Sequence, residues 1–186
     1  SDKIIAYPKG QQFRWTMLNL GLVKINGLDI NAQLHCVLPE NFYLTAKAQY
    51  TYQTAVDVTD PSDTYYGHQI PYIPWHSGSA VGILGWQNDW MQYGLNYSFI
   101  YVGERYNQQE NILFNYTQPW YTHDLSVYGE WDIYKVKGES LEVKGKRLFT
   151  LRVALDVNNL LSQDYDVILN YPMPKRNYKC TISITY

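Results

Sequence analysis

The sequence predicts an all-β fold: an antiparallel up-and-down meander of about eight long strands that forms part of a transmembrane β-barrel or closes as one. Three observations predict it. Apolar and polar residues alternate with period two along most of the chain, with no competing helical stripe. The alternating segments run about 11 residues, near the roughly 9–11 that a tilted strand needs to cross a bilayer and about twice the average soluble strand. Short and long connections alternate, as periplasmic turns and extracellular loops do in membrane barrels.

The strands are predicted in chain order from their apolar faces. A first strand is expected near 2–7, and the alternating segments that follow are 28–36, 42–53, 91–101, 125–133, 149–157 and 178–186. In the clearest segment one face carries only apolar or aromatic residues: Phe42, Leu44, Ala46, Ala48, Tyr50 and Tyr52. Upstream of Gly27 the apolar phase switches to Val23 and Ile25. A glycine at a phase switch predicts a β-bulge.

The connections between these strands differ in length. Short turns are predicted at 38–41 and 87–89, and long loops at 55–78, 104–121 and 163–175. The alternation predicts that the long loops lie together outside the cell. The segment 135–145 occupies the place of a periplasmic turn but is long, so we expect it to extend its hairpin beyond the membrane.

The cost of placing charge in lipid specifies which face of each strand meets the membrane. If the apolar face meets lipid, the charged strand residues point to the lumen: Lys47, Glu130, Arg152 and Asp156. A slip of one residue would turn them outward, where an Arg or Lys at the bilayer midplane costs roughly 2–4 kcal/mol. Aromatic residues stand near the ends of the apolar faces, as interfacial girdles require: Phe42, Tyr50, Tyr52, Tyr178 and Tyr186.

Composition limits the classes of function. The 15 Lys and Arg nearly balance the 17 Asp and Glu, which gives no reason to expect a nucleic acid partner. Aromatic residues make up 16% of the chain, and such rings concentrate at membrane interfaces, protein interfaces and sugar-binding surfaces. Mean hydropathy is only −0.37, which suits a barrel because its strands show lipid at every second residue. Cys36 and Cys180 are too few and too far apart for a disulfide framework or a zinc site.

Five short motifs follow one another in the order found in TonB-dependent outer-membrane receptors. The segments are INGLD at 25–29, IPYIPWHSGS at 70–79, VGERY at 102–106, VNNLLSQDY at 157–165 and YPMPKRNY at 171–178. They resemble the family's I-x-G-x-E, P-Y-x-P-x-H, V-G-x-R-Y, N-N-L-F-x-x-x-Y and Y-P-x-P-G-R patterns. The family positions in the last two are Asn159, Leu160, Tyr165, Pro172, Pro174 and Arg176. Lys175 replaces the family's Gly before Arg176.

The resemblance is closest to the siderophore and vitamin B12 type of receptor, as in Bacteroidetes, and it implies a Gram-negative outer-membrane location. It implies that the chain is the C-terminal segment of a barrel of roughly 22 strands. The TonB box and plug domain of such receptors are not recognisable in residues 1–186, so coupling to the TonB complex is expected through a plug supplied elsewhere. The final strand ends in an aromatic pattern that the barrel-assembly machinery reads in this family: Tyr178, Ile182, Ile184 and Tyr186.

Aromatic residues in the long loops are the candidate ligand site, because rigid rings on extracellular loops can grip a planar or amphipathic nutrient. They are Tyr65, Tyr66, His68, Tyr72, Trp75, Tyr106, Tyr116, Trp120, Tyr121 and Tyr171, with Met173 beside them. The alternative is that these rings form the outer interfacial belt or pack the loops together. His68 and His76 could ligate haem, although a hydrogen-bonded loop histidine is the commoner case. The expected nutrient is a ferric siderophore, cobalamin or haem.

No H-x-x-x-H spacing, nucleophile elbow or phosphate-binding glycine loop is present, so neither an enzyme nor a resident cofactor or metal is predicted. Two other interpretations stay open from the residues. One is a self-contained eight-stranded structural or adhesion barrel, and the other is a soluble carbohydrate-binding β-sandwich. In every membrane case the first strand near 2–7 and the last strand at 176–186 need partners, since sheet edges cannot lie in lipid.

Overall fold

The computed structural model describes residues 3–9, 14–134 and 147–186. The strands are β1 Lys3–Lys9, β2 Arg14–Leu20, β3 Val23–Val37, β4 Phe42–Asp57, β5 His76–Gln87, β6 Met91–Val102, β7 Arg105–Tyr106, β8 Tyr116–Thr117, β9 Trp120–Tyr134, β10 Arg147–Asn158, β11 Asp166–Ile168, β12 Tyr171–Pro172 and β13 Asn177–Thr185. One 3-10 turn spans Leu113–Asn115. Within these ranges, no helix has the length and apolar character needed to cross a membrane.

Seven long strands form one antiparallel sheet in the order β13-β10-β9-β6-β5-β4-β3. Each neighbour in this order is also the next long strand along the chain, so the predicted meander is confirmed. The strands of the sheet are 9 to 16 residues long, as a tilted membrane-crossing strand requires. The short pairs β7–β8 and β11–β12 lie within the second and third long connections.

The N-terminal strands differ from the expectation. β1 pairs with β2 in a separate two-stranded sheet, in register from Lys3 with Leu20 to Lys9 with Arg14. The edges of the large sheet among the described residues are therefore β3 and β13, and not the segment near 2–7. The segment 135–145, expected to extend a hairpin, lies outside the described residues.

The register aligns the apolar residues of neighbouring strands into rows. One row contains Cys36, Leu44, Leu84, Leu95, Val127, Leu155 and Cys180. These side chains are not covered by a second layer of the described chain, since Leu95 is 42% exposed and Leu155 is 57% exposed. A β-sandwich would bury this face between two sheets, so the sandwich interpretation is wrong.

Aromatic residues flank the apolar face at both ends. Near the short turns the belt contains Phe42, Trp86, Tyr93, Trp131 and Phe149. Near the long loops it contains Tyr50, Tyr52, Tyr97, Phe99, Tyr101 and Tyr121. Two histidines complete the second belt, because His76 Nδ1 lies 2.7 Å from the Tyr50 hydroxyl and His123 Nδ1 lies 2.6 Å from the Tyr97 hydroxyl. An apolar band between two aromatic girdles is the outer surface of a transmembrane barrel.

The opposite face is polar, as the register argument predicts. Arg152 Nη1 lies 3.3 Å from Glu130 Oε2 on the neighbouring strand, and its guanidinium stacks over the Tyr128 ring at 4.2 Å. The rings of Tyr43 and Tyr128 lie against Gly85 and Gly94, where a Cβ would come within 2.1 and 2.3 Å of the two rings. Glycine at these two positions leaves room for a large ring to lie on the sheet, because it has no side chain that the ring would meet.

The β-bulge predicted at Gly27 is wrong. β3 and β4 pair residue for residue from Val23 with Asp57 to Val37 with Tyr43, without a shift. Val23 changes phase because it lies on the polar face beneath the first long loop, where it packs with Ala55 and Ile70. Apolar residues therefore occur on whichever face is shielded from water. At the loop end of the sheet, the first long loop shields the polar face.

Candidate ligand-binding site on the long loops

The three long connections, 58–75, 103–119 and 159–176, all leave the same end of the sheet. An up-and-down meander places every second connection at one end, which brings segments far apart in sequence together. Their mutual contacts, described below, join them into one platform, which we call the loop platform.

The first and second loops are joined by a pair of amides. Gln69 is 1% exposed, and its backbone N–H donates to Asn111 Oδ1 at 2.6 Å while Asn111 Nδ2 donates to the Gln69 carbonyl at 3.0 Å. The Gln69 Oε1 also accepts from the Ala55 N–H at 2.8 Å, which fixes the loop to the end of β4. His68 Nδ1 lies 3.1 Å from the Gln109 carbonyl. These bonds pair the buried polar groups of Gln69 with the second loop and with the end of β4.

Aromatic rings fill the space between the same two loops. The Tyr72 N–H donates to the Tyr106 carbonyl at 2.7 Å, and Tyr72 holds a left-handed φ of 61°. Trp75 packs edge-on against Tyr106 at 5.7 Å, and Tyr106 packs edge-on against Tyr116 at 6.1 Å. Burial raises the pKa of the Tyr72 hydroxyl above its ordinary value, although a hydrogen bond with the backbone of Leu169 opposes the shift. Tyr72 therefore contacts the third loop as well.

Arg105 joins the second loop to the third. Its side chain is buried, and Nη2 donates to the carbonyls of Asp166 and Val167, each at 2.9 Å. Its Nη1 is buried without a hydrogen-bond partner. Loss of water around the guanidinium lowers the pKa of Arg105, and the nearby Tyr72 and Asp166 oppose that shift. A buried cation that binds two carbonyls holds the third loop against the second.

Asn159 anchors the third loop to the end of β10. It is 3% exposed with a left-handed φ of 51°. Its Oδ1 accepts from the Gln163 N–H at 2.8 Å, and its Nδ2 donates to the carbonyls of Gln163 and Pro174. Its backbone N–H donates to Asp124 Oδ1 at 2.7 Å on β9. The Asn159 side chain thus joins the start of the third loop, at Gln163, to its end, at Pro174.

The other residues of the two C-terminal motifs continue this framework. Arg176 Nε donates to the Leu160 carbonyl at 2.9 Å, and Leu160 N–H donates to the His123 carbonyl at 2.7 Å. Pro172 lies in β12, opposite Asp166. The Tyr165 ring packs against the Trp120 ring with 4.5 Å between ring centroids and a tilt of 31°. The motif residues therefore hold the loop in place.

A cavity of about 360 Å³ lies between the second and third loops. Its walls are Tyr116, Thr117, Gln118, Pro119, Trp120, Asp164, Tyr165, Asp166, Leu169 and Pro172. Two of these residues, Thr117 and Trp120, carry a buried side-chain atom without a partner, Oγ1 and Nε1 respectively. The cavity size falls within the roughly 300–1,000 Å³ of small-molecule sites.

Residues 1–160 match the family described as TonB dependent receptor-like, β-barrel. The chain belongs to this family. No curated protein matches it. Members of the family are receptors and transporters of the outer membrane that interact with TonB and take up nutrient ligands, and this TonB-dependent receptor barrel lies in the outer membrane.

The predicted ligand residues lie at several separate places in the receptor barrel. Trp120 lines the cavity. Tyr65 and His68 line a small crevice beside Gln69. Tyr72, Trp75 and Tyr106 pack between loops. Tyr66, Tyr171 and Met173 are exposed on the loops, and Tyr121 is exposed on the sheet.

Tyr121 differs from the expectation that it belongs to a loop. It lies in β9, where it pairs with Tyr101 and contacts Phe99 and His123. Its position on the apolar face puts it in the outer aromatic belt, which was the stated alternative.

Sequence reasoning did not single out Thr117, Gln118, Asp164 or Asp166 as site residues. None of them stands at a defined position of a family motif, although Asp164 lies at a variable position of the 157–165 segment, and they are ordinary loop residues until the topology brings 116–120 beside 164–172. The sequence also gave no signal for the tip of the second loop, where Leu113 is 88% exposed and Phe114 is 91% exposed. Within the described ranges, no group of three His, Cys, Asp or Glu side chains is placed to hold a metal.

Proposed function

We propose that this chain is the C-terminal barrel segment of a TonB-dependent receptor of a Gram-negative bacterium that imports a scarce nutrient, such as a ferric siderophore, cobalamin or haem. The nutrient crosses without chemical change. The energy comes from the TonB complex, transmitted through a plug domain carried by another part of the receptor. The barrel-assembly machinery inserts the barrel by reading the last strand, with Tyr178, Ile182, Ile184 and Tyr186.

The observation that carries the proposal is the family match on a sheet with one lipid-compatible face and one polar face. The lipid-compatible face carries the uncovered row that includes Leu95 and Val127. The polar face carries Arg152 and Glu130, which need water or a polar partner. A sheet of this kind separates hydrocarbon from an aqueous or protein-filled lumen.

The two sheet edges support a larger barrel. Among the described residues, β3 has only β4 as a neighbour and β13 only β10. Unpaired N–H and C=O groups in hydrocarbon cost several kcal/mol each. Further strands on both sides satisfy these groups, which supports a segment of a wide barrel over a self-contained one.

The loop platform supports nutrient capture at the outer face. Its loops are fixed to one another by Gln69 and Arg105, so the cavity beside Trp120 is preformed. A preformed site loses less conformational entropy when it binds its ligand.

Uptake by intact cells tests the proposal. Accumulation of labelled ferric siderophore, cobalamin and haem is measured in cells with the receptor, in cells lacking its gene, and in receptor-bearing cells lacking TonB. We expect saturable accumulation of one of them that both deletions abolish. Equal accumulation of all three compounds in the three strains contradicts the nutrient assignment.

A further inference from the structure

The cavity between the second and third long loops has a donor and acceptor pattern that indicates its ligand. We propose that this cavity binds a neutral, hydroxyl-rich group of the size of one or two sugar rings, with Thr117 and Trp120 as hydrogen-bonding residues. The inference extends the proposed function by naming the chemistry of the part of a nutrient that this cavity holds. Import of the bound group depends on the proposed function, whereas its binding in the cavity does not.

Two unpaired atoms of residues that line the cavity are the first argument. Trp120 Nε1–H can only donate, and the Thr117 hydroxyl can donate and accept. Both atoms are buried and have no protein partner. A buried polar group without a partner costs about 1–3 kcal/mol. A small shift of either side chain toward a ligand oxygen in the adjoining cavity removes this cost, so the site favours a group rich in acceptor oxygens.

The charges around the cavity are the second argument. Asp164 lies 3.0 Å from Lys175 Nζ, and Asp166 lies beside the buried Arg105. Each carboxylate thus has a cation nearby, so the cavity carries little net charge. An anionic ligand would face two carboxylates, and a cationic ligand would compete with Lys175 and Arg105. A neutral ligand avoids both costs.

The carboxylates still have free hydrogen-bonding capacity. An ionised carboxylate accepts at two oxygens with about four lone-pair sites. Asp166 Oδ2 accepts from the Asn170 N–H at 3.1 Å, and Asp164 binds Lys175 through Oδ1. Ligand hydroxyls can therefore donate to Asp164 and Asp166 while their oxygens accept from Trp120. A hydroxyl is the group that uses donors and acceptors together.

The shape and the apolar walls are the third argument. The volume of about 360 Å³ accommodates one or two pyranose rings but not a complete cobalamin or haem. Tyr116 and Tyr165 supply aromatic surface, and Leu169 and Pro172 supply aliphatic surface. Sugar rings have hydroxyl edges and C–H faces, which suit walls that are polar in one direction and apolar in another.

Binding of saccharides to the full receptor in detergent tests the inference. Saturation-transfer NMR is run with glucose, galactose, maltose and N-acetylglucosamine, and with citrate as an anionic probe. The variants are Thr117→Val and Trp120→Phe, which remove one hydrogen-bonding atom each and keep most of the side chain. Trp90→Phe is the matched control, because Trp90 lies in a short turn at the opposite end of the sheet.

We expect at least one saccharide to bind and citrate not to bind. Each cavity variant should weaken saccharide binding by about threefold to tenfold, as loss of one hydrogen bond does, while Trp90→Phe leaves it unchanged. Without ligand, Thr117→Val should not lower the thermal stability of the receptor, because the hydroxyl it removes is unpaired. A purely structural role for Thr117 predicts a loss of stability instead.

Three outcomes overturn the inference: no saccharide binds, citrate binds in preference, or both cavity variants bind as the wild type does. None of these outcomes affects TonB-dependent uptake, which is measured separately in cells. Conversely, saccharide binding by a receptor whose uptake is independent of TonB supports the cavity inference and overturns the proposed function.

Discussion

Replacement of Arg105 by methionine should release the third long loop from the second and leave the sheet unchanged. Methionine keeps most of the length of the arginine side chain but cannot donate. The carbonyls of Asp166 and Val167 then lose the Nη2 group that binds both of them at 2.9 Å. No strand of the seven-stranded sheet contributes to these two bonds, so the effect should stay within the loop platform.

The size of the effect follows from two opposing contributions. Each hydrogen bond from a charged donor contributes about 1.5–3 kcal/mol, or about 3–6 kcal/mol for the pair. The variant also removes a buried cation whose Nη1 has no partner, and this offsets part of the loss by about 1–3 kcal/mol. We therefore expect the third loop to open more easily by about 2 kcal/mol, which corresponds to roughly 30-fold faster hydrogen exchange.

Hydrogen–deuterium exchange with mass spectrometry on the full receptor measures this change. Peptides covering 163–172 should exchange faster in Arg105→Met, while peptides from β5 and β6 should not. Arg152→Met is the control, because Arg152 makes a half-exposed ion pair with Glu130 on the polar face of the sheet. Equal exchange of 163–172 in both variants, or faster exchange throughout the sheet in Arg105→Met, would refute the assigned role of Arg105.

Three further predictions concern single sites. Asn159→Ala should lower the free energy of opening of the third loop by about 2–3 kcal/mol and so accelerate its hydrogen exchange, because three side-chain hydrogen bonds are lost and alanine is placed at a φ of 51°. Asn159→Gly should recover only the part of this loss that comes from the backbone conformation. Gly94→Ala should lower the melting temperature of the barrel in detergent, since its Cβ would lie 2.3 Å from the Tyr128 ring. Gly82→Ala is the control and should not lower it, because a Cβ there meets no atom within 4 Å. Equal melting temperatures of the two variants would contradict the packing of the Tyr128 ring over Gly94. The raised pKa of Tyr72 means that its contribution to loop stability is complete below the ordinary value of 10.0 and is lost as pH rises through the higher folded-state value. Loop exchange, corrected for its intrinsic pH dependence, should therefore increase above pH 10 in the wild type and less so in Tyr72→Phe, and identical pH profiles would argue against burial as the cause.

The strands of this barrel were predictable because lipid acts on every second residue. A charged side chain such as Lys47 or Arg152 can lie only on the face away from hydrocarbon, so the alternation in the sequence specifies the face without knowledge of any partner strand. The turns were predictable for a related reason, since each break in the alternation marks the point where a strand leaves the membrane. The same rule failed at Gly27, where the apolar Val23 packs under a loop instead of facing lipid.

The loop contacts were not predictable in this way, because they join residues that are far apart in sequence. Gln69 and Asn111 are separated by 42 positions, and Arg105 and Asp166 by 61. No periodic pattern relates such residues, and a polar side chain in a loop has no preference for one partner over another until the topology brings the loops together. The aromatic content of the loops was visible in the sequence, but its division between ligand surface, loop packing and outer belt depends on these contacts.

The motif residues that hold the third loop differ from the variable residues, such as Thr117 and Asp164, that line the proposed ligand cavity. Arg105, Asn159 and Arg176 come from the motifs, and each binds backbone carbonyls of the third loop or its ends. A side chain that binds backbone atoms tolerates changes in the neighbouring side chains. The cavity can therefore vary at positions such as Thr117 and Asp164 while the loop keeps its path. It follows that receptors with the same motifs can take different ligands, and that exchange of Thr117, Gln118, Asp164 and Asp166 in the cavity wall, with the family positions Tyr165 and Pro172 kept, should change the preferred ligand of the proposed site and preserve the fold.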